Sequence, residues 1–239
     1  MARLFDNNAA NYMRRASVNL GLNGSTECSF AAWFKIPAIP ASTDCVFWKN
    51  TSVASVETIL MRVRTAGNIA CEISSHLTGS IFPEWITSAG VSLNVWHRAL
   101  FTWKRNAIDS TDGIIYLDGV SVATTFAANG YIGTFTLGEE SAAYDIGIRE
   151  GTIEPYEGSL AWVTVWNRQL TAQEAVTDAA NPLGVLSGRV SQVELCPDSE
   201  LVFGGSMTVN GTVPCTDGPF GTQIAGGGKR MHSMIYSQG

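Results

Sequence analysis

Twenty-one carboxylates and three histidines are the groups in this chain suited to acid–base chemistry. Their spacing decides what they can do. Two carboxylates that act together from a strand must share one face, which means alternate positions. Glu150, Glu154 and Glu157 crowd one stretch, but spacings of four and three suit no strand face, and they read as a solvated acidic loop. Glu139 and Glu140 are adjacent and would point to opposite faces of a strand. His76 falls in a polar loop, His97 in an apolar run and His232 near the end of the chain, with no H-x-x-x-H or C-x-x-C spacing for zinc. There is no G-x-S-x-G. Gly226-Gly227-Gly228-Lys229 lacks the flanking strand and helix of a phosphate-binding loop and reads as a hinge. The sequence therefore assigns no catalytic residue and no metal ligand.

Binding candidates are aromatic. Of seven tryptophans, Trp33, Trp96, Trp103, Trp162 and Trp166 fall in strand-like runs and read as core packing. Trp85 stands in the turn-rich Ile81-Phe82-Pro83-Glu84-Trp85. With Phe82 and Trp48 it is a candidate for stacking on a sugar ring or anchoring an interface, packing within a loop being the alternative. The C-terminal residues form a second candidate. Beyond the glycine hinge, Lys229 and Arg230 put positive charge on an acidic protein, and Met231, Met234, Ile235 and Tyr236 offer apolar side chains. That mixture suits an arm that orders on a neighbouring subunit; a tail folded along its own sheet edge is the alternative.

The elements that must position these residues are strands. Charged residues make up only 15% of the 239, against about 25% in an average globular chain. Gly, Ser, Thr, Ala and Asn fill the difference, which is the composition of strands and turns. Phe30, Phe34 and Ile36 alternate against Trp33, and Ile59, Met61, Val63 and Ile69, Cys71, Ile73 repeat the pattern. Asp118-Gly119 between two apolar runs predicts a tight hairpin. Ser159–Trp166 is apolar on both faces and reads as a central strand. One helix is expected: Thr171 and Glu174 form a capping box, and the helix stops before Asn181-Pro182. The pattern predicts an all-β, antiparallel two-sheet jelly-roll sandwich over residues 1–180, with one short helix. A Gly/Pro-rich extension over 181–239 carries short strands and the extended arm.

A net charge of −6 argues against a broad nucleic-acid interface. No 18-residue apolar run suggests a membrane helix, and Asp6 precedes any apolar run, unlike a signal peptide. Five cysteines at 28, 45, 71, 196 and 215 suit a reducing compartment. Whether Cys196 and Cys215 pair stays open.

Four segments carry a family resemblance: Phe5-Asp6 with Tyr12; Phe30-Ala31-Ala32-Trp33-Phe34-Lys35; Trp96–Trp103 with Ile115-Tyr116-Leu117-Asp118-Gly119; and Tyr156–Thr171 closed by Glu174. In that order they resemble the concanavalin-A-like lectin/glucanase superfamily, in its laminin-G-like and pentraxin-like branch. The continuation after Asn181-Pro182 resembles bacteriophage-encoded members. The glucanase branch uses a motif close to E-x-D-x-E, which this chain lacks. Where relatives usually carry an acidic pair, it has Ala161-Trp162. His97 matches a position that is structural in the family. The family's calcium site does not map residue by residue, so no cofactor is assigned and calcium stays an open alternative. The resemblance implies a non-enzymatic virion protein of bacteriophage type, a capsid decoration (cement) protein made in the host cytoplasm. Its expected partners are the capsid and copies of itself, with no nucleic acid and no membrane. The alternatives are a carbohydrate-binding lectin module of a tail fibre or spike, recognising surface glycans, and a degenerate glycoside hydrolase.

Overall fold

A computed structural model describes residues 2–50, 57–74, 82–105, 110–128, 136–139, 142–150, 153–181, 184–185, 187–193, 208–210 and 215–216. In chain order the strands are β1 (Ala2–Asp6), β2 (Tyr12–Val18), β3 (Glu27–Lys35), β4 (Asp44–Asn50), β5 (Glu57–Val63), β6 (Ile69–Ile73), β7 (Glu84–Thr87) and β8 (His97–Lys104). They continue with β9 (Gly113–Leu117), β10 (Val120–Ser121), β11 (Thr124–Ala127), β12 (Ala142–Ile146), β13 (Glu157–Trp166), β14 (Arg189–Val193), β15 (Thr208–Asn210) and β16 (Cys215–Thr216). The helix α1 spans Ala172–Ala180.

Two antiparallel sheets pack face to face. The first runs β10-β9-β8-β3-β13-β1-β16, and the second runs β11-β7-β6-β5-β4-β12-β2-β15. β13 is central, as its two apolar faces predict. One edge pairs with β3, and the other is shared by β1 along the first half and β14 along the second. Strands from beyond residue 181 therefore join both sheets.

Alternation sets what lies between the sheets. Phe30 and Phe34 of β3, Ile59 and Met61 of β5, and Val163 of β13 are fully buried there. Phe30 meets Phe47 edge-on at 5.5 Å and Phe101 at 5.1 Å, distances at which aromatic pairs attract. The hairpin forms at Asp118-Gly119, where both residues have positive φ, 53° and 83°, and glycine takes the second position without a steric penalty. At α1 the Thr171 hydroxyl accepts from the Glu174 amide, and Glu174 accepts from the Thr171 amide. Arg168 donates twice to the same Glu174 carboxylate.

The apolar runs around Leu100 and Leu117 predict both side chains between the sheets, and the structure corrects both. In β8 Leu100 shares parity with Arg98, Thr102 and Lys104, so alternation puts it on the outer face. Ala99, Phe101 and Trp103 take the inner side, and Leu100 lies on the outer side beneath α1 with Tyr116, Trp166 and Leu170. Leu117, at the hairpin mouth, is only partly buried against the main core.

Phe30→Ala should lower unfolding free energy by about 3–5 kcal/mol in chemical denaturation, and Leu117→Ala by less, since half-exposed apolar area leaves a smaller cavity. The helix latch has its own pH signature. Its hydrogen bonds from Arg168 hold the Glu174 carboxyl down at about 2, so its stabilisation is present above the ordinary carboxylate range and is lost as pH falls towards 2. Glu174→Gln should flatten that acid limb of the melting temperature.

Candidate functional site

The aromatic candidates read from the sequence separate in three dimensions. Trp85 is 0% exposed. β7 begins at Glu84, directly after Pro83, and alternation sends Glu84 outward and Trp85 into the core. Its Nε1 donates to the Ser110 carbonyl at 2.9 Å, and its ring meets Phe101 and Phe126. Gly113 lies so close that a Cβ there would stand 2.5 Å from the indole. Trp85 is therefore a core residue and offers no stacking surface. Trp48 faces outward from β4 yet is also buried, covered with Cys45, Leu60 and Ala143. Phe82 alone of the three is exposed, at 43%. Lys229, Arg230, Met231, Met234, Ile235 and Tyr236 lie outside the described residues, as do His76, Glu140, Cys196 and His232.

The acidic residues engage arginines. On the outer face of the second sheet, Arg62 donates to Glu84 at 2.7 Å and Glu72 at 3.1 Å, and lies 3.6 Å from Glu154; Arg64 donates to Glu84 and Arg149 to Glu154. Burial acts to lower the Arg62 pKa, but the charges of Glu84, Glu72 and Glu154 outweigh it and leave it raised. Glu139 is buried and accepts from the amides of Leu20 and Leu22, with Lys49 3.8 Å away. Nothing in the local sequence marks that role, because the two amides lie 119 and 117 positions away along the chain. His97 places Nδ1 2.7 Å from an Asp118 carboxylate oxygen, and the other oxygen accepts from the Arg98 amide. Among the described residues no group of three or more His, Cys, Asp or Glu gathers as a metal centre would.

A different aromatic set converges on the outer face of the first sheet. Trp33 points outward from β3 because Phe30, Ala32 and Phe34 take the inner positions. Trp96 immediately precedes β8 and is half-buried, with the Lys35 ammonium 5.4 Å from its ring centre. Trp162 reaches the same patch by a bulge. Ala161 opposes Trp33 and Val163 opposes Ala32, so Trp162 is the extra residue of β13. Its φ is +35°, a region bulky side chains rarely adopt. The half-buried indole packs with Trp96 on Trp33, Ala161 and Ala2. Leu4 of β1 is 40% exposed; facing Ser159, the cross-strand partner of Lys35, it borders the patch. Helix α1 covers the other half of this face. The sequence pattern places all three tryptophans in the core; Trp33 is buried, at 8% exposure, whereas Trp96 and Trp162 are only half-buried. The one available signal was Ala161-Trp162 standing where a charged pair was expected.

A two-sheet jelly roll with one capping helix and an aromatic patch on its outer face defines a lectin-type β-sandwich. The chain belongs to the concanavalin A-like lectin/glucanases superfamily, whose family profile matches residues 7–176. Three solved structures show how far the fold extends. A native heptameric SAP-like pentraxin from Limulus polyphemus is 15% identical, with 87% of this chain and 94% of that chain covered and a TM-score of 0.57. A Bacteroides ovatus protein with a proposed carbohydrate-binding role is 16% identical, covering 91% of this chain and 60% of that one, with a TM-score of 0.59. The K499G mutant of NanB sialidase from Streptococcus pneumoniae is 18% identical over 74% of this chain but 27% of its own, with a TM-score of 0.54. At these identities the likeness is of fold. None of the three is named as a virion protein, and they lend no support to the bacteriophage resemblance. No curated protein matches the chain.

One carboxyl near the acidic end of β13 is poised to titrate. Asp44 is buried and accepts from the Glu157 amide at 3.0 Å. Burial pushes it up to about 6, helped by the charges of Glu157 and Glu154, although the amide bond opposes the rise. The folded protein then holds a proton at Asp44 that the unfolded chain, titrating near 3.9, has already released. Stability should therefore fall as pH rises from about 4 to 6. Asp44→Asn should abolish that slope in thermal melts taken across the window.

Proposed function

We propose that this protein is a non-catalytic carbohydrate-binding module whose glycan lies across Trp96 and Trp162, which are seated on the buried Trp33, on the outer face of the first sheet. The observation that carries the reading is the bulge at Trp162. A strained, positive-φ tryptophan turned out of the strand repeat to lie beside two others is costly unless the exposed ring is used. The C–H face of a pyranose is apolar and stacks on an indole, while its hydroxyls need polar partners at the rim. Lys35 beside Trp96 supplies one such donor. The lectin-type family and the proposed sugar-binding role of the Bacteroides ovatus protein support the same reading. Binding without turnover fits the acidic side chains Glu72, Glu84 and Glu154, which are occupied by arginines. The reading takes no metal ion.

A glycan array followed by titration of the best ligand tests this. Trp96→Ala and Trp162→Ala should each weaken binding roughly tenfold or more, in the range of about 1–3 kcal/mol for a desolvated aromatic anchor. Phe82→Ala and added EDTA should leave it unchanged, and no product should accumulate. Wild-type affinity in both tryptophan variants would remove the patch from the site.

A further inference from the structure

The Trp162 bulge is held from beneath by one side chain. Arg98 of β8 is 1% exposed, on the outer face of the first sheet between the tryptophan patch and helix α1. Its Nε and Nη2 donate to the two carboxylate oxygens of Asp178 on α1, at 2.7 and 2.9 Å. Nη2 also lies 3.4 Å from the Thr164 hydroxyl. Nη1 donates to the main-chain carbonyl of Trp162 at 2.7 Å.

A bulge takes its extra residue out of the regular ladder, and here the partly buried Trp162 carbonyl accepts from Arg98. Only a planar, forked cation satisfies a carboxylate with one edge and a carbonyl with the other. An ammonium is a compact point charge and does not span both partners. We infer that Arg98 is the positioning residue of the binding platform: anchored by Asp178, it holds the Trp162 carbonyl, and so fixes the bulge that presents the Trp162 indole beside Trp33 and Trp96. Arg98 touches no ligand in this arrangement. The binding consequence rests on the carbohydrate reading above; the conformational consequence does not.

The test separates the two. Protein labelled with 5-fluorotryptophan gives one 19F resonance per tryptophan, and Trp162→Phe assigns the one at issue. Three variants are compared with wild type. Arg98→Lys keeps the charge but not the fork. Arg98→Met/Asp178→Leu removes both charges together, so that no buried ion is left unpaired and the fold survives. Asp178→Asn weakens the anchor while leaving the Nη1 donation to Trp162. In the first two, cooperative melting should persist. The Trp162 resonance should shift or broaden, those of the core residues Trp85 and Trp103 should stay in place, and glycan affinity should fall at least tenfold. Asp178→Asn leaves the buried Arg98 without its counter-charge, so its melting temperature should fall; below that temperature the Trp162 resonance and the affinity of the folded protein should both stay near wild type.

An unmoved Trp162 resonance in the folded double variant overturns the inference, whatever binding does. So does a loss of affinity in Asp178→Asn equal to that in Arg98→Lys with Trp162 unmoved, which would mark the pair as merely structural. If Trp96→Ala and Trp162→Ala bind glycan normally, the platform reading fails, and the resonance measured without sugar still decides whether Arg98 sets the bulge.

Discussion

A guanidinium taken out of water has to be neutralised and hydrogen-bonded where it lies, or the fold does not form. Meeting that demand at Arg98 fixes much of the first sheet. The side chain draws Asp178 down from α1, and with it the helix that covers Leu100, Tyr116 and Trp166. It reaches Thr164 and the Trp162 carbonyl on β13, two strands away across β3. Its own amide donates to Asp118, which closes the β9–β10 hairpin and meets His97. One cation thus connects the helix, the hairpin turn and the bulge, on the face opposite the core.

The second sheet manages its outward charges differently. Arg62, Glu72 and Glu84 come from three neighbouring strands and satisfy one another, with Glu154 added from the segment before β13. Each guanidinium N–H engaged this way is unavailable to an outside ligand, so this face is polar without being an obvious receptor. The outer face of the first sheet is the reverse: mostly aromatic in the half that α1 leaves uncovered, with few ionic groups. Two sheets of similar size therefore carry unequal outer surfaces, one closed by its own ion pairs and one holding apolar rings at the rim of solvent.

Superfamily membership settles the architecture and leaves the chemistry to the surface. In this chain the surface argues for recognition. Near the start of β13, Glu154 lies against Arg62 and Arg149, while Asp44 accepts from the Glu157 amide, so the carboxylates there serve separate partners. Asp44 titrates high because it is buried beside Glu154 and Glu157, which is an electrostatic consequence of how β4 and β13 meet at that end of the sandwich. Trp162 differs in kind. Its conformation, with φ at +35°, has a steric cost that a regular strand residue does not carry.

Legibility from sequence followed the range of the interaction involved. Period-two alternation, the Asp118-Gly119 turn and the Thr171/Glu174 capping box are local, so they could be read residue by residue and appear where expected. The parity of Leu100 with Arg98, Thr102 and Lys104 is local, but its burial on that outer face under α1 is not. Trp85 looked like a loop residue because Pro83 precedes it, but a strand can begin directly after a proline, and β6 and β11 then enclose it. The bulge at Trp162 needs an extra residue opposite β3 and a donor from β8, 64 positions earlier. The family resemblance marked Ala161-Trp162 as a departure without showing its direction. The sequence by itself determined the sandwich and its helix, because those depend on short-range periodicity and turn chemistry, and its family through the four segments that carry the resemblance. Only the tertiary structure decided which tryptophans are core and which are surface, because that depends on which strand edges meet and which buried charge must be satisfied.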